Sequence, residues 1–202
     1  MKKLICLCMV SLTVLACFAA CGKGEDAQET TSDIKVIDFD TTRMQESTTQ
    51  IKENKNYKIT IPEDIIAVDY DGDVKSYASF YGYDIVSSEN GEVTLKMDGK
   101  EYAMLLSRIG MKTVRELGAI VDSDDFAYAK EIKDFSEDFS YILILVNGKK
   151  YNKADNKELF ETLIGQCGLY YQLHANPEAP ECEVVIADSE SGKVLLRNTY
   201  PQ

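Results

Sequence analysis

Alternation of apolar and polar positions begins at Asn56. Tyr57, Ile59 and Ile61 alternate with polar residues and Pro62 ends the run, the period-two pattern of a half-buried strand. Residues 65–70 are a second strand candidate. Residues 83–88, 92–97 and 101–106 read as three consecutive strands, separated by Asn90-Gly91 and Asp98-Gly99. Such dipeptides tolerate positive φ and so suit two-residue hairpin turns. In this meander Val93, Leu95 and Met97 share a face, matched across the turn by Tyr102, Met104 and Leu106. Asp71-Gly72, Asn147-Gly148 and Ser191-Gly192 suggest further tight turns. Residues 141–146 are nearly all apolar, as expected of a central strand covered on both faces. Residues 126–135 are expected beside it, and 182–187 with 193–196 make a last hairpin.

Two segments carry helical spacing instead. Over 111–122, Thr113 and Glu116 match a capping box, and Val114, Leu117, Gly118 and Val121 form a stripe. Over 156–174, Phe160, Leu163, Ile164, Cys167, Tyr170, Tyr171 and His174 recur at three and four, and Pro177 and Pro180 prevent continuation. The predicted class is therefore α+β: residues 56–202 form a single domain, an antiparallel β-sheet built on a hairpin meander with two helices packed against it. This order of elements is similar to that of the photosystem-associated PsbP proteins, a likeness carried by element order and by no shared motif. No repeat at solenoid spacing is present.

The N-terminus has a different character. Lys2 and Lys3 precede an uncharged stretch, 4–20, after which Cys21-Gly22-Lys23-Gly24 opens a polar segment. A basic start, an apolar run and small residues before a cut form a secretory leader. Phe18-Ala19-Ala20-Cys21 resembles a bacterial lipobox, with Phe18 where members usually carry Leu, Val or Ile; Val14-Leu15-Ala16-Cys17 is a second candidate. The segment is similar to the leaders of lipoproteins from low-GC Gram-positive bacteria. That resemblance implies a signal peptide at 1–20, lipidation of Cys21, and an extracytoplasmic chain held at the cell membrane by its lipid. The competing reading is an uncleaved anchor, since 17 uncharged residues reach the lower limit of about 17–25 for a spanning helix. Two acyl chains on one cysteine anchor stably, where one does not. Residues 21–55 then comprise the lipidated cysteine and a polar linker rich in Thr, Ser, Gln, Glu and Lys. The linker is interrupted by the apolar island 34–39, which either joins the folded domain or meets a partner.

Charge narrows the function. The 202 residues carry net −12, and loss of Lys2 and Lys3 with the leader takes this to −14. No basic excess exists to replace phosphate counterions, which argues against nucleic acid. The same sign holds the body off anionic membrane and wall surfaces. A single histidine excludes a site that needs two.

The candidate chemistry is sparse. Cys167 and Cys182 are the thiols left in the body, and either form a disulfide, which an extracytoplasmic location permits, or fill the core as free thiols. His174 has no nucleophile and orienting carboxylate at recognisable spacing, although Cys167 lies seven residues before it on the same helix. Asp69, Asp71 and Asp73 imitate the start of a calcium loop, but Val74 and Phe80 stand where glycine and glutamate are required. Asp122, Asp124 and Asp125 form a second acidic cluster, best read as a solvated loop. Tyr77, Phe80, Tyr81 and Tyr83 are either a platform for a peptide or sugar, or core and hairpin packing. No catalytic residue, metal site or cofactor motif is assigned. The function expected is a non-enzymatic binding module of the cell envelope, with an envelope protein or peptide as partner. The alternatives are a small-ligand or cation-binding accessory protein and, third, a hydrolase. Metabolic labelling with a fatty acid tests the leader: label is expected on the wild-type chain and absent from Cys21→Ala.

Overall fold

The computed structural model describes residues 51–52, 54–69 and 73–201; the leader, Cys21, the 34–39 island and the Asp71-Gly72 turn lie outside them. The chain is α+β, with its strands divided between two sheets. The first sheet is antiparallel, with β1 (Tyr57–Pro62), β2 (Asp84–Glu89) and β3 (Glu92–Met97) in the order β1-β3-β2. Ile59 pairs with Leu95 and Ile61 with Val93, and all four are buried. The predicted Asn90-Gly91 turn joins β2 to β3, with φ of 57° and 75° at its two residues.

Between β1 and β2 stand two helices, α1 (Glu63–Asp69) and α2 (Val74–Tyr81). The first replaces the strand candidate at 65–70. Ile65 and Ile66 are adjacent and both buried, as the inner side of a short helix allows and a strand covered on one face does not. Helix α2 has both ends closed. Asp73 is its N-cap, its Oδ1 accepting from the amides of Lys75 at 2.8 Å and Ser76 at 2.9 Å. Gly82 ends it at φ 78°, and the Tyr83 amide donates to the Ala78 carbonyl.

The third strand of the predicted meander is a helix as well. Helix α3 runs Gly99–Val121, absorbing both 101–106 and the expected short helix at 111–122. Asp98 is its N-cap rather than a hairpin residue. The Asp98 side chain accepts from the Glu101 amide and the Glu101 side chain accepts from the Asp98 amide, each at 2.8 Å. Burial explains the outcome: Leu105 is fully buried while Met104 is 63% exposed, the reverse of what the strand alternation Tyr102, Met104, Leu106 demands. Thr113 and Glu116 consequently sit inside the helix and cap nothing.

The second sheet comprises β4 (Ala129–Phe135), β5 (Tyr141–Val146), β6 (Cys182–Asp188) and β7 (Val194–Tyr200), in the order β4-β5-β6-β7. It is mixed: the outer pairings are antiparallel and β5 with β6 is parallel. Strand β5 is central, as expected, with Ile142, Ile144 and Val146 fully buried on one face. Its other face, with Tyr141, Leu143 and Leu145, is half-covered. The parallel pair follows from the connection. After β5 come α4 (Gly148–Tyr151), where Asn147 is an N-cap in place of the expected tight turn, and the long α5 (Lys157–Ala175). A helix laid back along the sheet returns the chain to the end where the strand began, so the next strand runs the same way.

Helix α5 is buried on nearly every side from Leu163 to His174, because α3 packs on one flank and β5, β6 and β7 on the other. It also touches β1, and a single hydrophobic core runs through both sheets. Two glycines permit the close approach to the sheet. A Cβ at Gly165 would lie 2.5 Å from the Tyr200 ring, and one at Gly168 would lie 2.3 Å from the Cys182 Sγ and 2.9 Å from the Phe139 carbonyl oxygen. Gly168→Ala is therefore expected to cost about 1–3 kcal/mol of stability by overpacking. Gly118→Ala on α3, where a Cβ meets nothing within 4 Å, is expected to stabilise by up to about 1 kcal/mol through helix propensity. Denaturant unfolding of the two variants measures the contrast.

Candidate functional site

The capping of α2 and the uninterrupted run of α3 bring the tyrosine cluster against a row of cations. Arg108 of α3 lays its guanidinium 3.7 Å from the centroid of the Tyr81 ring, and its Nη2 donates to the Tyr77 hydroxyl at 2.9 Å. Cation–π contact and a hydrogen bond thus hold one side chain from two directions. One turn along α3, the Lys112 ammonium stands 4.7 Å from the centroid of the Tyr170 ring of α5 and donates to its hydroxyl at 3.3 Å. Arg115 follows, exposed. Tyr77, Tyr81, Arg108, Lys112 and Arg115, with Ile109 and Met111, line a groove of about 350 Å³ between α2 and α3.

The four aromatic residues singled out from the sequence divide here. Tyr77, Tyr81 and Tyr83 form one cluster, with centroids 5.0 Å apart for Tyr77 and Tyr81 and 5.7 Å for Tyr81 and Tyr83. Tyr77 and Tyr83 are buried and pack against Tyr81, and Tyr77 and Tyr81 line the groove. Phe80 stands edge-on to Tyr81 at 4.9 Å, is 68% exposed and is not among the residues that line the groove. Burial pushes the Tyr83 phenol above its ordinary range, partly offset by the Arg108 charge. Arg108, Lys112 and Arg115 escape sequence inspection because a helix starting at 111 separates Arg108 from the other two. On a helix from 99 to 121, they recur at four and three residues and share a side.

The remaining candidates are structural. Cys167 and Cys182 are both buried and both free. Burial raises both thiols, Cys182 to about 12, so neither supplies a thiolate near neutral pH. His174 is fully buried in the last turn of α5; its Nδ1 lies 2.8 Å from the Tyr170 carbonyl oxygen, and its own carbonyl accepts from the Tyr102 hydroxyl at 3.1 Å. Histidine and thiol share a helix buried between layers, not a cleft. Asp73 is occupied as a helix cap, Asp122 ends α3, and Asp124 and Asp125 lie in a single exposed 3-10 turn capped by Ser123. Among the described residues, no group of three or more His, Cys, Asp or Glu side chains is placed to hold a metal ion.

Two further polar arrangements serve the fold. Asp188, at the end of β6, accepts from the Gly148 amide at 2.9 Å and from the Ser191 hydroxyl at 2.6 Å, which holds its carboxyl below the usual range. It thereby ties the start of α4 to the β6–β7 turn, beside a smaller cavity of about 210 Å³. The carboxylate of buried Glu161 accepts from the Tyr151 hydroxyl. Burial and this carboxylate together push Tyr151 well up and neighbouring Tyr128 to about 12.

Comparison with known families, curated proteins and solved structures gives no match to this chain. Among the described residues, no helix is long and apolar enough to cross a membrane.

The raised groups set an alkaline limit. Cys182, Tyr102 and Tyr128 hold their protons to about 12 in the folded chain, whereas an unfolded chain releases them from about pH 8.5 for cysteine and 10 for tyrosine. Above about pH 8 the unfolded state binds fewer protons than the native one, so stability falls as pH rises. The denaturant midpoint is expected to be level up to about pH 7.5, to begin falling as the unfolded thiols ionise at about pH 8.5, and to decline further up to about pH 11.

Proposed function

We propose that this protein is a lipid-anchored, extracytoplasmic binding module, attached through Cys21 and a polar linker, whose recognition surface is the groove between α2 and α3. One observation carries the reading. In a chain of net −12, three cations line up on one side of a single helix against a tyrosine wall that orients the first of them. Guanidinium groups stacked on aromatic rings keep their charge while losing little conformational freedom on binding, which is how a preorganised site gains affinity. The partner is an envelope component. A non-enzymatic role draws support from the burial of Cys167 and His174, the Cys–His pair suggested by the sequence.

The second reading, a small-ligand accessory protein, draws on the same groove, since about 350 Å³ falls within the size range of small-molecule sites. Its cation-binding form has less support, because the groove is lined by positive charge.

The test places a photo-crosslinking residue at Met111, which lines the groove and is 54% exposed, in the full chain in cells. An envelope component is expected to be captured, with the yield reduced at least fivefold by combining Arg108→Gln and Arg115→Gln. Equal capture in the combined variant, or none in either, overturns the reading.

A further inference from the structure

The exposed side of α3 has a finer pattern than positive charge. Met104, Arg108, Met111 and Arg115 recur at spacings of four, three and four, which stacks them along one face over about 16 Å at 1.5 Å per residue. Met104 is 63% and Met111 54% exposed. Large apolar side chains exposed in a row on a helix need a reason, and polarizable methionines are over-used on surfaces that accept partners. Phe80, 68% exposed, extends the apolar area on the α2 side. The face therefore alternates a soft apolar side chain with a guanidinium, and Lys112 lies beside it.

Resting on the proposal that this groove is the recognition surface, we infer that its ligand is an acidic peptide segment of a partner protein, in which carboxylate side chains are interleaved with apolar ones at helical spacing. Charge complementarity sets the acidic half of this description. Arg108, held flat on Tyr81 and anchored at Tyr77, fixes positive charge on the groove wall, and exposed Arg115 on the same face carries a planar fork of the kind that binds a carboxylate bidentately. The methionines and Phe80 set the apolar half. A simple polyanion such as a phosphodiester polymer satisfies the cations but leaves the three apolar side chains in water. A small carboxylate engages one cation and covers none of the row. A peptide whose own face repeats acid and apolar residues at three and four covers both kinds of position at once, as amphipathic helices do when seated in grooves.

The probe is a fluorescent synthetic peptide of about 15 residues, long enough to cover the row at 1.5 Å per residue, with Glu and Leu interleaved at three- and four-residue spacing on one face. It is titrated by anisotropy into the full chain in detergent. Saturable binding is expected, weakened at least tenfold by Arg115→Glu and at least threefold by Met111→Ser. Arg115 is exposed and makes no ion pair or hydrogen bond among the described residues, so its variant is expected to melt with the wild type. Four results overturn the inference. These are no binding, binding indifferent to both substitutions, polyglutamate or inorganic polyphosphate of equal length binding as tightly as the peptide, and a tenfold gain in peptide affinity when Asp33, Asp38 and Asp40 are changed to Asn. The last result would make this chain's own acidic stretch the occupant. Groove-dependent crosslinking at Met111 without peptide binding leaves the binding module standing and removes only the ligand class.

Discussion

The burial of one helix constrains everything else. Helix α5 is enclosed by α3 on one side and by the mixed sheet on the other, and Gly165 and Gly168 let its backbone approach Tyr200 and Cys182 closely. That proximity makes β5 and β6 parallel, because the helix that joins them lies along the sheet face and must return the chain to its starting end. It also decides which way α3 faces. With Leu105, Ile109, Leu117 and Ile120 turned inward, the opposite side of α3 carries Met104, Arg108, Met111 and Arg115 to the surface, and Lys112 lands on Tyr170 of α5.

Polar side chains satisfy several of the backbone ends, and the buried carboxylate, that the packing encloses. The Tyr102 hydroxyl reaches the carbonyls of His174 and Ala175 at the end of α5, where acceptors have no partner within the helix. Asp98, Asp73 and Asn147 cap three helix starts. The Tyr151 hydroxyl gives Glu161 the donor that a buried carboxylate requires. These contacts explain why many of the residues that look chemically interesting in isolation are committed to the fold: Asp73, Asp188, His174 and both body cysteines each have a structural place.

The groove differs from these in its electrostatics. Acidic side chains outnumber basic ones across the chain, so a stretch of α3 that bears three cations and no acid between positions 102 and 115 stands out against the background. Aromatic faces tether Arg108 and Lys112, which restricts the freedom of both side chains. A Debye length of about 8 Å at physiological salt confines each charge to its neighbourhood, so the potential at the groove is set by these local cations more than by the negative total.

The amino-acid sequence by itself determined the α+β class, the Asn90-Gly91 hairpin, the long helix ended before Pro177, the central position of β5 and the β6–β7 hairpin. Each rests on a local rule: two adjacent residues that accept positive φ, a three-and-four apolar repeat, or an unbroken apolar run. Local rules misread 65–70 and 101–106 as strands, because a few apolar residues fit either period until their neighbours' burial is known; Leu105 inside and Met104 outside decide for the helix. The tyrosine cluster was legible as aromatic density, and its cations were not, since Arg108 joins Lys112 and Arg115 only on a helix that spans all three. Tertiary structure alone decided the parallel pairing, the seating of Cys182 against Gly168, and the meeting of α2 with α3. All three depend on which surfaces of α5 are covered, and coverage is a property of the packed chain that no window of sequence contains.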